Sequence, residues 1–143
     1  RALNWSVIDD WHIPEAMVQA ALEEQTREVA HRELRYRADR PAIDIRHRVV
    51  ILVDDGLATG STMQAAIAAL RTQEPTRLVV AIPVAPPSVC DVLRLQVDEV
   101  VYLVSPEPLI ALSVWYEDFS PTTDEEIRRL LRNARREPMA ASA

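Results

Sequence analysis

The stretch "VVILVDDGLATGST", residues 49–62, contains both glycines of the chain, Gly56 and Gly60. Average usage is about 7% glycine, so two glycines within five residues of an otherwise glycine-poor chain indicate a backbone that needs them there. The preceding run "RVVILV" is apolar and β-branched, which predicts a strand covered on both faces. A helix is indicated by apolar residues spaced i, i+3, i+4 and i+7: Met63, Ala66, Ile67 and Leu70. The stretch therefore predicts a strand, a tight loop and a helix.

Strands and helices continue to alternate downstream of this stretch. The apolar runs "RLVVAIPVA" and "EVVYLV" predict strands at about 77–84 and 99–104, with a short helix, "PPSVCDVLRL", between them. Strands that alternate with helices form parallel βαβ units, so the predicted fold class is α/β with an open parallel sheet. A final helix, "TTDEEIRRLLRN", begins with a capping box formed by Thr123 and Glu126.

A long amino-terminal helix is predicted upstream of the strand, from Pro14 to about Tyr36. Three acid–arginine pairs at i,i+4 support it: Glu23 with Arg27, Glu28 with Arg32, and Glu33 with Arg37. Its apolar stripe is narrow, so one side should pack while the rest faces water. Pro41 ends the helical pattern because a proline disfavours helical geometry at the residue before it.

Composition excludes several classes of function. The formal net charge of −6 and a pI of about 5.1 do not attract nucleic acid or an anionic membrane in bulk. All 16 cationic side chains are arginines, so no lysine-dependent mechanism is available. The single cysteine, Cys90, suits a reducing compartment and a structural thiol. No run is apolar enough for a membrane span, and we predict a cytoplasmic protein without membrane or nucleic-acid partners.

The loop after the first strand has the composition of a phosphate-binding turn. In open α/β sheets ligands bind at the carboxyl ends of strands. Gly56 and Gly60 can adopt positive φ, the next helix adds a positive dipole end, and hydroxyl donors follow at Thr59, Ser61 and Thr62. A Walker A loop is excluded because it needs a lysine, and a dinucleotide fingerprint is excluded because it needs a third glycine.

The acidic pair Asp54–Asp55 precedes this turn directly. Carboxylates accept hydrogen bonds from a sugar diol or bind a hard cation such as Mg²⁺. With a phosphate cradle a few residues away, the loop is suited to a ribose 5-phosphate. The alternative is a strand-end turn whose hydroxyls merely cap the following helix.

The loop resembles the 5-phosphoribosyl 1-pyrophosphate (PRPP) motif of type I phosphoribosyltransferases. Four apolar residues, Asp-Asp, two variable positions and Ala-Thr-Gly-Ser-Thr match that motif without a gap. The flanks "RPAIDIRHRVV", "VVAIPVAPP" and "WYEDFSPTTDEEI" resemble phosphoribosyltransferase domains of the kind also found fused to hydrolase domains. The resemblance implies that Asp54 and Asp55 are catalytic, contacting the ribose hydroxyls and a Mg²⁺ ion carried largely by the substrate. It also implies that the 5-phosphate is held by Ala58, Thr59, Gly60, Ser61 and Thr62.

Two departures from the family pattern limit what the resemblance implies. In members that act on 6-oxopurines an aspartate serves as general base at the position of Ala58, so hypoxanthine and guanine are not expected acceptors. The family's amino-terminal segment, with its first strand and pyrophosphate loop, is not found in this sequence. We therefore expect residues 1–143 to be the carboxyl-terminal portion of such a domain. Its parts would be a helix and connection (1–40), a βαβαβ core (46–104) and a hood or tail (105–143).

Two further clusters are candidates for substrate contacts. "VWYEDFSP" contains Trp115, Tyr116 and Asp118, which could form an acceptor pocket by stacking on a base and accepting its hydrogen bonds; aromatic core packing is the alternative. Arg37 and Arg40 could contact pyrophosphate, but a solvated basic helix end is the favoured interpretation of both. The three histidines show no metal-ligand spacing.

The resemblance implies Mg²⁺-dependent transfer of a phosphoribosyl group from PRPP to an unidentified acceptor. The alternatives are a domain that senses PRPP or a nucleotide without turnover, and an accessory domain of a larger protein. The apolar strand at 49–53 needs neighbours on both edges, so an apolar edge or patch is expected. Its cover would be a second copy of the chain or the missing amino-terminal segment.

Overall fold

The computed structural model describes residues 5–37 and 42–134. Within these residues the helices are α1 (Trp5–Asp10), α2 (Glu15–Arg37), α3 (Ser61–Arg71), α4 (Pro87–Arg94) and α5 (Asp124–Asn133). The strands are β1 (Val49–Val53), β2 (Arg77–Val84) and β3 (Glu99–Val104), and a 3-10 helix follows at Leu112–Trp115. Residues 43–119 form one compact unit, while α1, α2 and α5 belong to a second unit.

The sheet of the first unit is parallel and has the strand order β1-β2-β3. Val50 pairs with Leu78, and Val80 pairs in turn with Leu52 and Val100. Both connections run in the same direction along the sheet, and right-handed crossovers of this order place α3 and α4 on one face. The α/β class, the open parallel sheet and the long amino-terminal helix are thereby confirmed.

The core of this unit lies between the sheet and those two helices. Leu78, Val80, Ile82 and Val84 of β2 are buried on the same face, because side chains of a strand point to opposite faces in turn, and Val79 is also buried. One cluster joins the first three of these to α3, α4 and the adjoining loops: Leu57, Met63, Ile67, Leu78, Val80, Ile82, Ala85, Cys90, Leu93 and Val97. Burial raises the pKa of the Cys90 thiol, so this side chain behaves as a small apolar group.

The opposite face of the sheet is apolar and exposed in β1 and β3. Val49, Ile51 and Val53 are 60%, 60% and 74% exposed, and Leu103 of β3 is 81% exposed. The predicted apolar patch is therefore present, and within the described residues this face of β1 has no cover. The physical reason is the strand order, since a sheet whose crossovers all run one way receives helices on one face only. Cover by a second copy or by an additional segment stays a prediction.

In the second unit, α2 and α5 are joined through the first residue of α5. The Tyr36 hydroxyl donates to Asp124 Oδ1 at 2.5 Å, and Arg35 forms an ion pair with the same carboxylate. These contacts lower the pKa of Asp124, with the Tyr36 hydrogen bond as the largest cause. Two of the three predicted helix pairs form, Glu28–Arg32 and Glu33–Arg37.

The capping box of α5 is half formed, because the Thr123 side chain accepts from Glu126 N while the Glu126 carboxylate pairs with Arg129. In the part of the chain that the structure describes, no helix is both long enough and apolar enough to cross a bilayer.

Candidate functional site

The candidate site is the loop of residues 54–60, which connects the carboxyl end of β1 to the start of α3. In a parallel sheet the carboxyl ends of all strands lie at one edge, so this loop lies beside the end of β2, and the end of β3 is one strand further away. A backbone hydrogen bond from Leu57 N to Val84 O, 3.0 Å long, fixes the loop to the end of β2. The buried Leu57 side chain fastens it to the core.

Gly60 has the backbone conformation that only glycine adopts easily. Its φ of +71° lies in the left-handed region, and it stands at the N-cap of α3 without a side-chain cap. Its carbonyl accepts the first helical bond, from Gln64 N at 2.9 Å. A β-carbon here would also lie 2.8 Å from Val89 Cγ1 of α4. The expected positive φ is confirmed at this glycine.

Gly56 is needed for a different reason. Both glycines can adopt positive φ, but of the two only Gly60 does so in the structure. A β-carbon on Gly56 would lie 2.6 Å from Leu112 Cδ2, 2.9 Å from Val84 Cγ1 and 3.1 Å from Val84 O. Gly56 therefore provides space where β2 and the 3-10 helix both approach the loop.

Gly56→Ala is expected to destabilise the protein by about 1–3 kcal/mol, because the added methyl group overpacks a site with no free space. Urea unfolding followed by circular dichroism measures this loss. Leu112→Ala removes the nearest obstructing atom, so the double variant should be less destabilised than the sum of the two single variants. Strict additivity would contradict the contact between Gly56 and Leu112.

Hydrogen-bond donors are concentrated at the end of the loop and in the first turn of α3. Thr59 Oγ1 and Ser61 Oγ lie 3.2 Å apart, and both side chains are exposed, as is Thr62. Within residues 5–37 and 42–134, the backbone N–H groups of Gly60, Thr62 and Met63 have no acceptor. Free N–H groups at a helix N-terminus, together with its partial positive charge, form a site that favours an anion.

The two aspartates differ in their surroundings. Asp54 is half-buried, and its Oδ1 accepts a hydrogen bond from Asp55 N at 3.0 Å. The exposed side chain of Asp55 has no bonded partner among the described residues. No group of three or more metal-ligating side chains occurs in the described ranges. These carboxylates can therefore supply only part of the coordination of a hard cation.

The segment 112–119 contacts the acidic half of the loop. The Tyr116 hydroxyl donates a hydrogen bond to the backbone carbonyl of Asp55, and the Tyr116 and Phe119 ring centroids lie 5.1 Å apart. Desolvation first, and then the charges of Asp55 and Asp54, raise the pKa of Tyr116, so its hydroxyl stays protonated. Trp115 is 46% exposed, and Asp118 is exposed in the same segment.

The structure therefore brings the predicted acceptor residue Tyr116 to the predicted PRPP loop. Arg37 lies in the second unit and pairs with Glu33 at 2.6 Å on its own helix. Arg40 lies outside the described residues. Ala58 occupies an exposed position in the loop and offers no side-chain donor or acceptor.

Sequence reasoning did not identify the residues that pack against the two glycines. Val84 and Leu112 enclose Gly56, and Val89 lies against Gly60. Each is an ordinary aliphatic residue whose role arises from contact between separate segments. Of the three, only Val84 carried a signal in the sequence, because it stands at the carboxyl end of a predicted strand.

Comparison with known proteins identifies the family of this chain. A family model described as "Phosphoribosyl transferase domain" matches residues 11–101. Two Mycobacterium tuberculosis proteins, named "Putative phosphoribosyl transferase Rv0571c" and "Putative phosphoribosyl transferase MT0597", are each 33% identical to this chain over 143 residues. The match covers 100% of this chain and 32% of each relative, so the chain spans about a third of their length.

A solved structure is also similar. The crystal structure of TT1426 from Thermus thermophilus matches with a TM-score of 0.73 and 36% sequence identity. This match covers 83% of the present chain and 57% of the other.

Proposed function

Because the chain belongs to the phosphoribosyl transferase domain family, we propose that the loop of residues 54–62 binds PRPP or a ribose 5-phosphate nucleotide. The observation that carries the proposal is the continuity of the loop. An acidic pair, a close glycine turn and a hydroxyl-rich helix start follow one another at the carboxyl edge of the sheet. Their order matches the order of diol and 5-phosphate along a ribose 5-phosphate.

In this proposal the anion is bound by the second half of the loop. The backbone N–H groups of Gly60 and Thr62 and the hydroxyls of Thr59, Ser61 and Thr62 surround the 5-phosphate. Because these groups are neutral dipoles, their attraction for phosphate does not depend on a lysine. Positive φ at Gly60 turns the chain sharply just before α3 begins.

The ribose end is bound by the acidic half. Asp55 has an exposed carboxylate without a bonded partner among the described residues, which leaves both oxygens available to two adjacent hydroxyls. Mg²⁺ fits this loop in company with the substrate, since it prefers one or two carboxylates plus phosphate oxygens and water. When bound, the ion neutralises charge on the pyrophosphate group.

We propose phosphoribosyl transfer as the reaction of this domain. The bond between C1 of the ribose and pyrophosphate breaks, and a bond from C1 to the acceptor forms. C1 passes through oxocarbenium-like character, so the task of the protein is to orient the sugar and to stabilise the departing charge. Trp115, Tyr116 and Asp118 belong to the segment proposed to receive the acceptor.

The test is calorimetric titration with Mg²⁺-PRPP and with ribose 5-phosphate, followed by a pyrophosphate-release assay with a panel of nucleobases. Unphosphorylated ribose is the matched control, and we expect it not to bind. Binding with release supports a transferase, whereas binding without release favours a sensing domain. Absence of binding by both phosphorylated ligands to folded protein contradicts the proposal.

A further inference from the structure

We infer that Tyr116 is a positioning residue for the carboxylate of Asp55, and that it couples the segment 112–119 to the loop 54–60. The role of that carboxylate toward sugar rests on the proposed function. The hydrogen bond between Tyr116 and Asp55, on which the inference depends, is observed within this chain and does not rest on that proposal.

The geometry holds Asp55 from both sides of its α-carbon. Its N–H donates to Asp54 Oδ1 at 3.0 Å, and its carbonyl accepts from the Tyr116 hydroxyl. The first bond restricts the peptide before Asp55, and the second restricts the peptide after it. With both peptides restricted, the direction of the Cα–Cβ bond is determined, and the carboxylate is limited to the positions that rotation about χ1 and χ2 reaches from that bond.

A second contact reinforces the coupling at the next residue. Gly56 lies against Leu112, close enough that a β-carbon would come within 2.6 Å of Leu112 Cδ2. The Tyr116 N–H donates to Ser113 O at 3.3 Å, which ties the tyrosine to the 3-10 helix that carries Leu112. The segment therefore contacts two consecutive loop residues, one by a hydrogen bond and one by packing.

The environment of Tyr116 is suited to this role. Its hydroxyl donates to the loop backbone, and its ring packs against Phe119 with an angle of 43° between the ring planes. Both the hydroxyl and the ring of Tyr116 therefore already have partners within the chain. Desolvation first, and then the negative charges of Asp55 and Asp54, raise the pKa of the phenol, which keeps it a donor. Trp115, the more exposed neighbour, is left as the aromatic side chain available to a ligand.

The two glycines give a direct spectroscopic test. Glycine-selective ¹⁵N labelling yields two glycine amide signals, because the chain contains only Gly56 and Gly60. The Gly56 amide belongs to the peptide whose carbonyl bonds Tyr116, so Tyr116→Phe should shift that signal and leave Gly60 nearly unchanged. Gly56→Ala identifies its signal by removing it. An unchanged Gly56 signal in Tyr116→Phe would overturn the inference, whether or not the protein binds PRPP.

Ligand binding then separates positioning from general stability. Tyr116→Phe should weaken Mg²⁺-PRPP by about three- to tenfold, the loss of one ordinary hydrogen bond, and leave inorganic phosphate unchanged. Tyr102→Phe is the matched control, since it removes a phenol that accepts a hydrogen bond from Arg94, the last residue of α4, and that forms no hydrogen bond with the loop 54–60 in the described part of the chain. Equal weakening of both ligands would contradict positioning. Failure of wild-type protein to bind Mg²⁺-PRPP would contradict the proposed function instead, and the Gly56 signal would still decide the inference.

Discussion

Gly60→Val is expected to abolish binding of ribose 5-phosphate. A β-branched side chain at φ +71° is strained by about 1–2 kcal/mol, and its β-carbon would begin 2.8 Å from Val89 Cγ1. Overpacking adds about 1–3 kcal/mol, so the turn should open rather than accept the side chain. Because the N–H donors at the start of α3 are oriented by that turn, the anion site is lost with it. Isothermal titration calorimetry measures the effect.

Gly60→Asn distinguishes the effect of the left-handed backbone conformation from the effect of the added β-carbon. Asparagine tolerates the left-handed region far better than valine, while it still introduces a β-carbon beside Val89. We expect it to fold like the wild type and to bind ribose 5-phosphate weakly. Thermal unfolding confirms that each variant is folded before titration. Wild-type affinity in a folded Gly60→Val protein would exclude this loop as the phosphate site.

Asp55→Asn should weaken Mg²⁺-PRPP by about ten- to a hundredfold, the range of a hydrogen bond made by a charged group. The exchange preserves shape and removes charge, and the Asp55 side chain has no bonded partner among the described residues whose loss would disturb the fold. Inorganic phosphate should bind as before, because it contacts the dipoles of the second half of the loop. Calorimetry with the two ligands under identical conditions measures the difference.

Asp91→Asn provides the control for net charge. Asp91 is an exposed carboxylate on α4 that pairs with Arg94, and its neutralisation changes the total charge by the same amount. We expect that variant to bind both ligands like the wild type. If Asp55→Asn weakened inorganic phosphate as much as Mg²⁺-PRPP, the aspartate would only support the loop.

The order and type of the elements from Val49 to Val104 followed from local patterns. Continuous apolar runs of five to eight residues between turn signals predicted β1, β2 and β3, and their alternation with helices predicted a parallel sheet. The loop was equally predictable, since an acidic pair followed by a glycine-hydroxyl turn is one contiguous stretch. Helix α2 was predictable because its start, its acid–arginine pairs and the proline after it are all short-range signals.

The tertiary structure decided which faces are buried and what lies over the loop. An apolar strand such as β1 has the same pattern whether one face or two are covered, and only the strand order left Ile51 and Val53 exposed. The distinct requirements for Gly56 and Gly60 depend on Leu112 and Val89, which are distant in sequence. From sequence, Tyr116 was recognisable only as an aromatic residue near a carboxylate. Its bond to Asp55 joins residues 61 positions apart, a contact that no local pattern encodes.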